Sequence, residues 1–144
     1  MRAPIIPNML IAALAGVASL AGVAALPGIA VAQEVSRVAF APGGSSATLE
    51  AMVTGDAYTD YLLGASAGQR LSVSLIAPSD GPTPYFNVLP PGSDGVAVYV
   101  GSTSGNDATV PLDESGDYAV RVYLLGAARD EGRTIPYRLS LSVE

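Results

Sequence analysis

From Ser36 onward the chain alternates between apolar and polar positions in short runs, each closed by turn-forming residues. Ala47–Thr54 places Ala47, Leu49, Ala51 and Val53 on one side and Thr48, Glu50 and Thr54 on the other, with Met52 the apolar exception on the polar side. Such a period of two is the mark of a half-buried strand. Arg70–Ile76 alternates through Leu71, Val73 and Leu75, and Ile135–Val143 through Tyr137, Leu139, Leu141 and Val143. Tyr118–Leu125 sets Tyr118, Val120 and Val122 on one face and Ala119, Arg121 and Tyr123 on the other. Shorter runs at Ser36–Phe40, Ala57–Leu63, Tyr85–Leu89, Val96–Val100 and Ala108–Leu112 complete the set, and Pro111 places the last of these at a sheet edge.

The breaks between runs carry turn chemistry: Ala41–Ser46, Gly55-Asp56, Gly64–Gln69, the proline-rich Ala77–Pro84, Pro90-Pro91-Gly92, Gly101–Asp107, Asp113–Gly116 and Gly126–Arg133. No helical period occurs among them. About eight short strands at regular spacing predict an all-β protein, an antiparallel β-sandwich folded as one domain.

The N-terminal segment breaks this pattern. Arg2 precedes a long apolar run, Met9–Leu26, and Ala30-Val31-Ala32 follows the Pro27-Gly28 break. A basic start, an apolar centre and an Ala-x-Ala end predict a signal peptide over 1–32, cleaved after Ala32, with the sandwich domain over 33–144. The competing reading is a membrane anchor, since the run is long. Beyond it no stretch approaches the roughly 20 apolar residues of a bilayer span, so the mature protein is expected in the periplasm and outside the membrane.

Loss of Arg2 with the leader moves the formal net charge from -6 to -7, and all the cations are Arg because the chain has no Lys. An acidic surface of this kind argues against nucleic acid, whose phosphates need a basic footprint. There is no Cys, so the core must hold without disulfides, which about 112 residues allow. There is no His, which removes the commonest general base, the usual zinc ligand and every Ser-His pair.

The remaining chemistry is carboxylate and aromatic. Asp113/Glu114, Asp117 and Asp130/Glu131 could pair as in glycoside hydrolysis, but each lies in a turn where acidic residues bond their own backbone. Asp94, Asp107 and Asp113 could meet a calcium ion at one end of a sandwich, without an ordered ligand spacing. The expectation is therefore no enzyme, no metal and no cofactor. Binding is the better class. Ser115, Gly116, Asp117 and Tyr118 form a turn that brings a hydroxyl and an aromatic to the rim of the sheet. Arg121 and Tyr123 follow, and Arg129 and Arg133 lie in the next loop. Tyr and Arg are the side chains that anchor interfaces. An ordinary hairpin turn whose Tyr packs on the sheet is the competing reading.

Phe40–Leu49, Asp60–Gly64, Gly68-Gln69, Tyr85–Ser93 and Gly116–Tyr123 resemble a family of bacterial periplasmic inhibitors of g-type and i-type lysozymes. The resemblance spans nearly the whole mature chain, and the fold is similar to pre-peptidase C-terminal domains. It implies a β-sandwich that occludes a lysozyme cleft with a Ser-Gly-x-Tyr loop, here Ser115, Gly116 and Tyr118, with lysozyme as the partner. Similar proteins carry an Arg-Asn pair before Ala-Ala-Arg. Here Gly126 precedes Ala127-Ala128-Arg129, so only the second arginine is matched. The alternative is a non-inhibitory envelope sandwich that binds glycan, peptidoglycan or another envelope protein.

Overall fold

Two sheets pack face to face in the computed structural model, which describes residues 33–40, 43–77 and 80–144. The expected leader, 1–32, lies outside the described residues. In chain order the elements are β1 (Gln33–Arg37), β2 (Ser46–Thr54), β3 (Tyr58–Ala65), β4 (Arg70–Ile76), β5 (Tyr85–Leu89), β6 (Tyr99–Val100), α1 (Gly101–Ser104), β7 (Asp107–Pro111), β8 (Gly116–Tyr123), α2 (Gly126–Asp130) and β9 (Thr134–Val143). One sheet has the order β1-β3-β8-β5-β6 and the other β2-β9-β4-β7. All pairings are antiparallel except β1 with β3, which is parallel. The sandwich read from the alternation is therefore the fold, with nine strands among the described residues.

The buried faces are the alternating ones. Leu63, Phe86, Val88, Val120 and Val122 of the first sheet meet Leu71, Val73, Leu139 and Leu141 of the second. Full burial of each such side chain contributes roughly 1.5–3 kcal/mol. β7, with Pro111, lies at the edge of its sheet. Three details differ from the sequence expectation. The first strand begins at Gln33 rather than Ser36. The run Val96–Val100 shortens to β6, because Val96 and Val98 stand exposed. The loops Gly101–Asp107 and Gly126–Arg133 each hold a one-turn helix, too short to register as a period of 3.6. Among the described residues no helix is long and apolar enough to cross a membrane.

β8 sets the distance between the two ends of the sandwich. Its eight residues span about 23 Å at a rise of ~3.3 Å each. The β3–β4, β5–β6 and β7–β8 turns cluster at its Gly116 end, while the β2–β3 turn, α1 and α2 cluster at its Tyr123 end.

Inside the core, the Tyr61 hydroxyl of the first sheet and the Tyr137 hydroxyl of the second share a hydrogen bond of 2.5 Å. Burial pushes both phenols above their ordinary value near 10, and the negative charge of Glu34 adds to it. Above about pH 10 the unfolded chain loses protons that the folded chain keeps. Stability is thus complete below that pH and falls as pH rises, by up to about 1.4 kcal/mol per pH unit for each tyrosine. Urea denaturation between pH 9 and 11 (roughly one unit either side of the free phenol value) is expected to show this decline. The slope should flatten in Tyr137→Phe.

Candidate functional site

The turn before β8 is built by three anchored residues and one exposed hydroxyl. Ser115 is exposed, and its Oγ accepts a hydrogen bond from the Ala67 backbone N–H at 2.9 Å. That bond fixes the oxygen and leaves the hydroxyl proton free to donate outward. Gly116 has φ +143°, and an added Cβ would stand 3.0 Å from Cβ and Cγ of Pro91. Only glycine meets both demands, so the Pro90-Pro91 turn is locked against this one. Asp117 forms a solvent-exposed ion pair with Arg37 of β1 at 2.5 Å.

Tyr118 departs from the expected rim aromatic. Its side chain enters the core, and the residue is only 2% exposed. Its hydroxyl accepts from the Glu114 N–H at 3.1 Å and donates to the Glu114 carbonyl at 2.9 Å. This is the arrangement of a tyrosine corner, in which a phenol near a strand start clamps the backbone just upstream. The tyrosine therefore shapes the turn from beneath rather than presenting a ring to a partner. Tyr118→Phe is expected to keep the fold and lose about 1 kcal/mol, since Glu114 can recover water in place of the phenol. Urea unfolding of the variant beside the parent checks this.

The second group of sequence candidates lies elsewhere. Arg121, midway along β8, donates from Nε to Asp60 Oδ1 at 2.7 Å and from Nη2 to Oδ2 at 3.0 Å, and its guanidinium lies 4.3 Å from the Tyr58 ring centroid. The hydrogen bonds to Asp60 push its pKa further above the usual arginine value. Tyr123 donates its hydroxyl to Asn87 Oδ1 at 2.7 Å. Arg121 and Tyr123 are thus committed within the sheet. Arg129, on α2, keeps a 48% exposed side chain and, among the described residues, pairs with its neighbour Asp130 at 3.2 Å. It borders a shallow recess with Gly55, Asp56, Asp130 and Gly132. Arg133 is exposed in the same loop.

The expected single surface is therefore divided. Ser115–Tyr118 and the Arg129–Arg133 loop occupy opposite ends of the sandwich, separated by the length of β8. The calcium candidates divide too, because Asp94 and Asp113 lie at the Ser115 end and Asp107 at the start of β7, near the other. Among the described residues no three His, Cys, Asp or Glu side chains converge on a point. Asp113, Glu114, Asp130 and Glu131 are all solvent-exposed.

Asp60 is the residue that sequence reasoning passed over. A carboxylate inside the strand Tyr58–Ala65 is unfavourable on a pleated surface unless it is paired. Its partner could have been sought among the outward positions of the neighbouring strand, where Arg121 stands.

Comparison with known proteins adds to this geometry. No protein-family model matches the chain, and no curated protein matches it either. Solved structures do. The chain is similar to PliG of Aeromonas hydrophila, a periplasmic lysozyme inhibitor of g-type lysozyme, with a TM-score of 0.71 and 29% identity, covering 78% of this chain and 98% of that one. It is also similar to a mutant of the Escherichia coli inhibitor of g-type lysozyme, with a TM-score of 0.60 and 24% identity over 78% and 99% of the two chains. The pre-peptidase C-terminal domain of a Bacillus anthracis collagenase shares the fold, with a TM-score of 0.55 and 18% identity over 78% and 96%. The first two of these structural neighbours are inhibitor proteins, periplasmic and directed at g-type lysozyme.

Proposed function

We propose that this chain is an exported, periplasmic, non-catalytic inhibitor of lysozyme, with g-type lysozyme as its target. One observation carries the reading: the likeness to the Aeromonas hydrophila inhibitor runs through almost all of that protein's length at 29% identity. A signal peptide over 1–32 and a mature domain over 33–144 fit that location. The formal net charge, -6 for the whole chain and -7 once Arg2 is lost with the leader, favours encounter with a basic enzyme.

The Ser115 turn is the element placed in the cleft. A glycoside-cleaving cleft presents carboxyl groups, and Ser115 offers them a free hydroxyl proton on a fixed oxygen. Gly116 lets backbone approach closely, and the Tyr118 clamp holds the turn in shape before binding, which lowers the ordering cost. Asp117, held by Arg37, flanks the turn.

A second reading places the Arg129–Arg133 end in the cleft. The exposed Arg129 guanidinium beside the Gly55-Asp56 turn favours it, since arginine is the strongest side-chain partner of a carboxylate. Inhibition constants for Ser115→Ala and Arg129→Ala against one g-type lysozyme separate the two. On the first reading Ser115→Ala weakens inhibition about tenfold or more, the loss of a hydrogen bond to a charged group, and Arg129→Ala stays within about threefold. The reverse order selects the arginine end. An i-type lysozyme in the same series tests the wider target range.

A further inference from the structure

The outer face of the first sheet holds an ordered group apart from the Ser115 turn. Tyr123 pairs in register with Tyr58 on one side and Tyr85 on the other, so three tyrosines stand in one row across β3, β8 and β5. With strands about 4.8 Å apart, the three backbone positions span roughly 10 Å. The Tyr85 and Tyr123 centroids are 6.3 Å apart, with their planes tilted by 39°. All three residues are half-buried, and the Tyr58 ring also carries the Arg121 guanidinium, 4.3 Å from its centroid. The next row holds Asp60, Arg121 and Asn87.

Charge distinguishes this face from the rest of an acidic chain. Its charged side chains are matched in pairs, Arg121 with Asp60 and Arg37 with Asp117. The row of tyrosines is neutral, so it has nothing with which to draw a basic protein or an anionic polymer. What it offers is ring surface and polar atoms that have no partner among the described residues. The Asn87 carbonyl oxygen is occupied by the Tyr123 hydroxyl, which leaves the Asn87 amide protons to donate and the Tyr123 oxygen to accept. A pyranose chain is the complement of such a face. Its rings have flat C–H surfaces that lie on aromatic rings, and its edges carry hydroxyl and acetamido groups that bond amides.

We propose that the Tyr58–Tyr123–Tyr85 row is a binding platform for an extended, uncharged glycan strand of β-linked hexopyranoses, oriented by Asn87. The row lies toward the Tyr123 end of β8, away from the Ser115 turn. A glycan bound here leaves that turn free, so the platform can hold the protein on a polysaccharide while the turn meets another partner. The proposal does not depend on lysozyme inhibition.

The test is a titration of the isotope-labelled protein with chitohexaose and separately with cellohexaose, followed by amide NMR shifts. Shifts confined to Tyr58, Tyr85, Asn87, Arg121 and Tyr123 are expected. Tyr85→Ala should weaken binding at least tenfold, Tyr123→Phe should retain it in part, and Ser115→Ala should leave it unchanged. Because Tyr85 opens its strand, that variant keeps the test sound if Tyr123→Ala fails to fold. Co-sedimentation with purified sacculi separates the sources. Pelleting that chitohexaose competes away identifies wall glycan, and oligosaccharide binding without pelleting identifies a free glycan on the same platform. No shift with either sugar at millimolar concentration overturns the proposal. So do shifts centred on the Ser115 turn or α2, or equal binding by Tyr85→Ala.

Discussion

Asp60→Ala is expected to destabilise the domain by about 3 kcal/mol, the low end for breaking a buried ion pair. The Asp60 side chain is 8% exposed and that of Arg121 is 27% exposed. Removing the carboxylate leaves the partly exposed Arg121 guanidinium, stacked on Tyr58, without its buried partner. Arg121 is more exposed than its partner, which limits the loss. The change should lower Tm by about 12 °C at roughly 4 °C per kcal/mol for a domain of this size. The double variant Asp60→Ala/Arg121→Ala should lose less than the sum of the singles, because the orphaned charge is gone. Thermal and urea unfolding of the three variants measure it. Equal losses that simply add would show that the pair contributes through packing alone.

Gly101→Ala is the second large effect, expected at about 2–3 kcal/mol from overpacking against a fixed backbone. Gly101 opens α1 and lies beside β5, in line with the edge strand β6. An added Cβ would lie 2.3 Å from the Phe86 carbonyl oxygen and 3.1 Å from the Phe86 nitrogen. These are backbone atoms of β5, whose Phe86 side chain is fully buried, so neither side can yield cheaply. Either α1 lifts from the sheet, or β5 shifts and disturbs the stack of Phe86 on Tyr99 at 5.4 Å. Unfolding by urea, with Ser102→Ala as a neutral comparison on the exposed side of the same turn, measures the cost.

Gly101 also shows where the sequence stops being informative. Gly101-Ser-Thr-Ser-Gly105 has the composition of a flexible polar loop, and nothing local announces that its first residue is pressed against a strand 15 positions earlier. The strands are legible for the opposite reason. In β4, β8 and β9 every second residue must meet the core, so the period of two survives any detail of packing. Val96 and Val98 mislead because an apolar alternation says what could be buried, not whether a second sheet is there to bury it. The parallel β1–β3 pair has no local signal either, since direction depends on how the chain crosses between sheets.

The candidate site is legible in its residues and less so in its layout. The composition around Ser115 and Gly116 predicts a turn, and they form one. Tyr118 follows a strand parity that points it inward, in the same register as Val120 and Val122, and its hydroxyl clamps Glu114. Arg121 and Tyr123 look like free interface anchors because a sequence does not show that Asp60 and Asn87 already hold them. Ser115 and Arg129 are 14 residues apart, yet a strand nearly straight between them sends them to opposite ends of the molecule.

The central claim is inhibition of g-type lysozyme, and the most direct measurement is a titration of the purified protein against a fixed amount of a g-type lysozyme, read as lysis of peptidoglycan. The expected result is a fall in lysis that nears completion around equimolar protein, with Ser115→Ala displaced to higher concentration. Undiminished lysis by g-type lysozyme at a micromolar excess of folded protein would contradict the account.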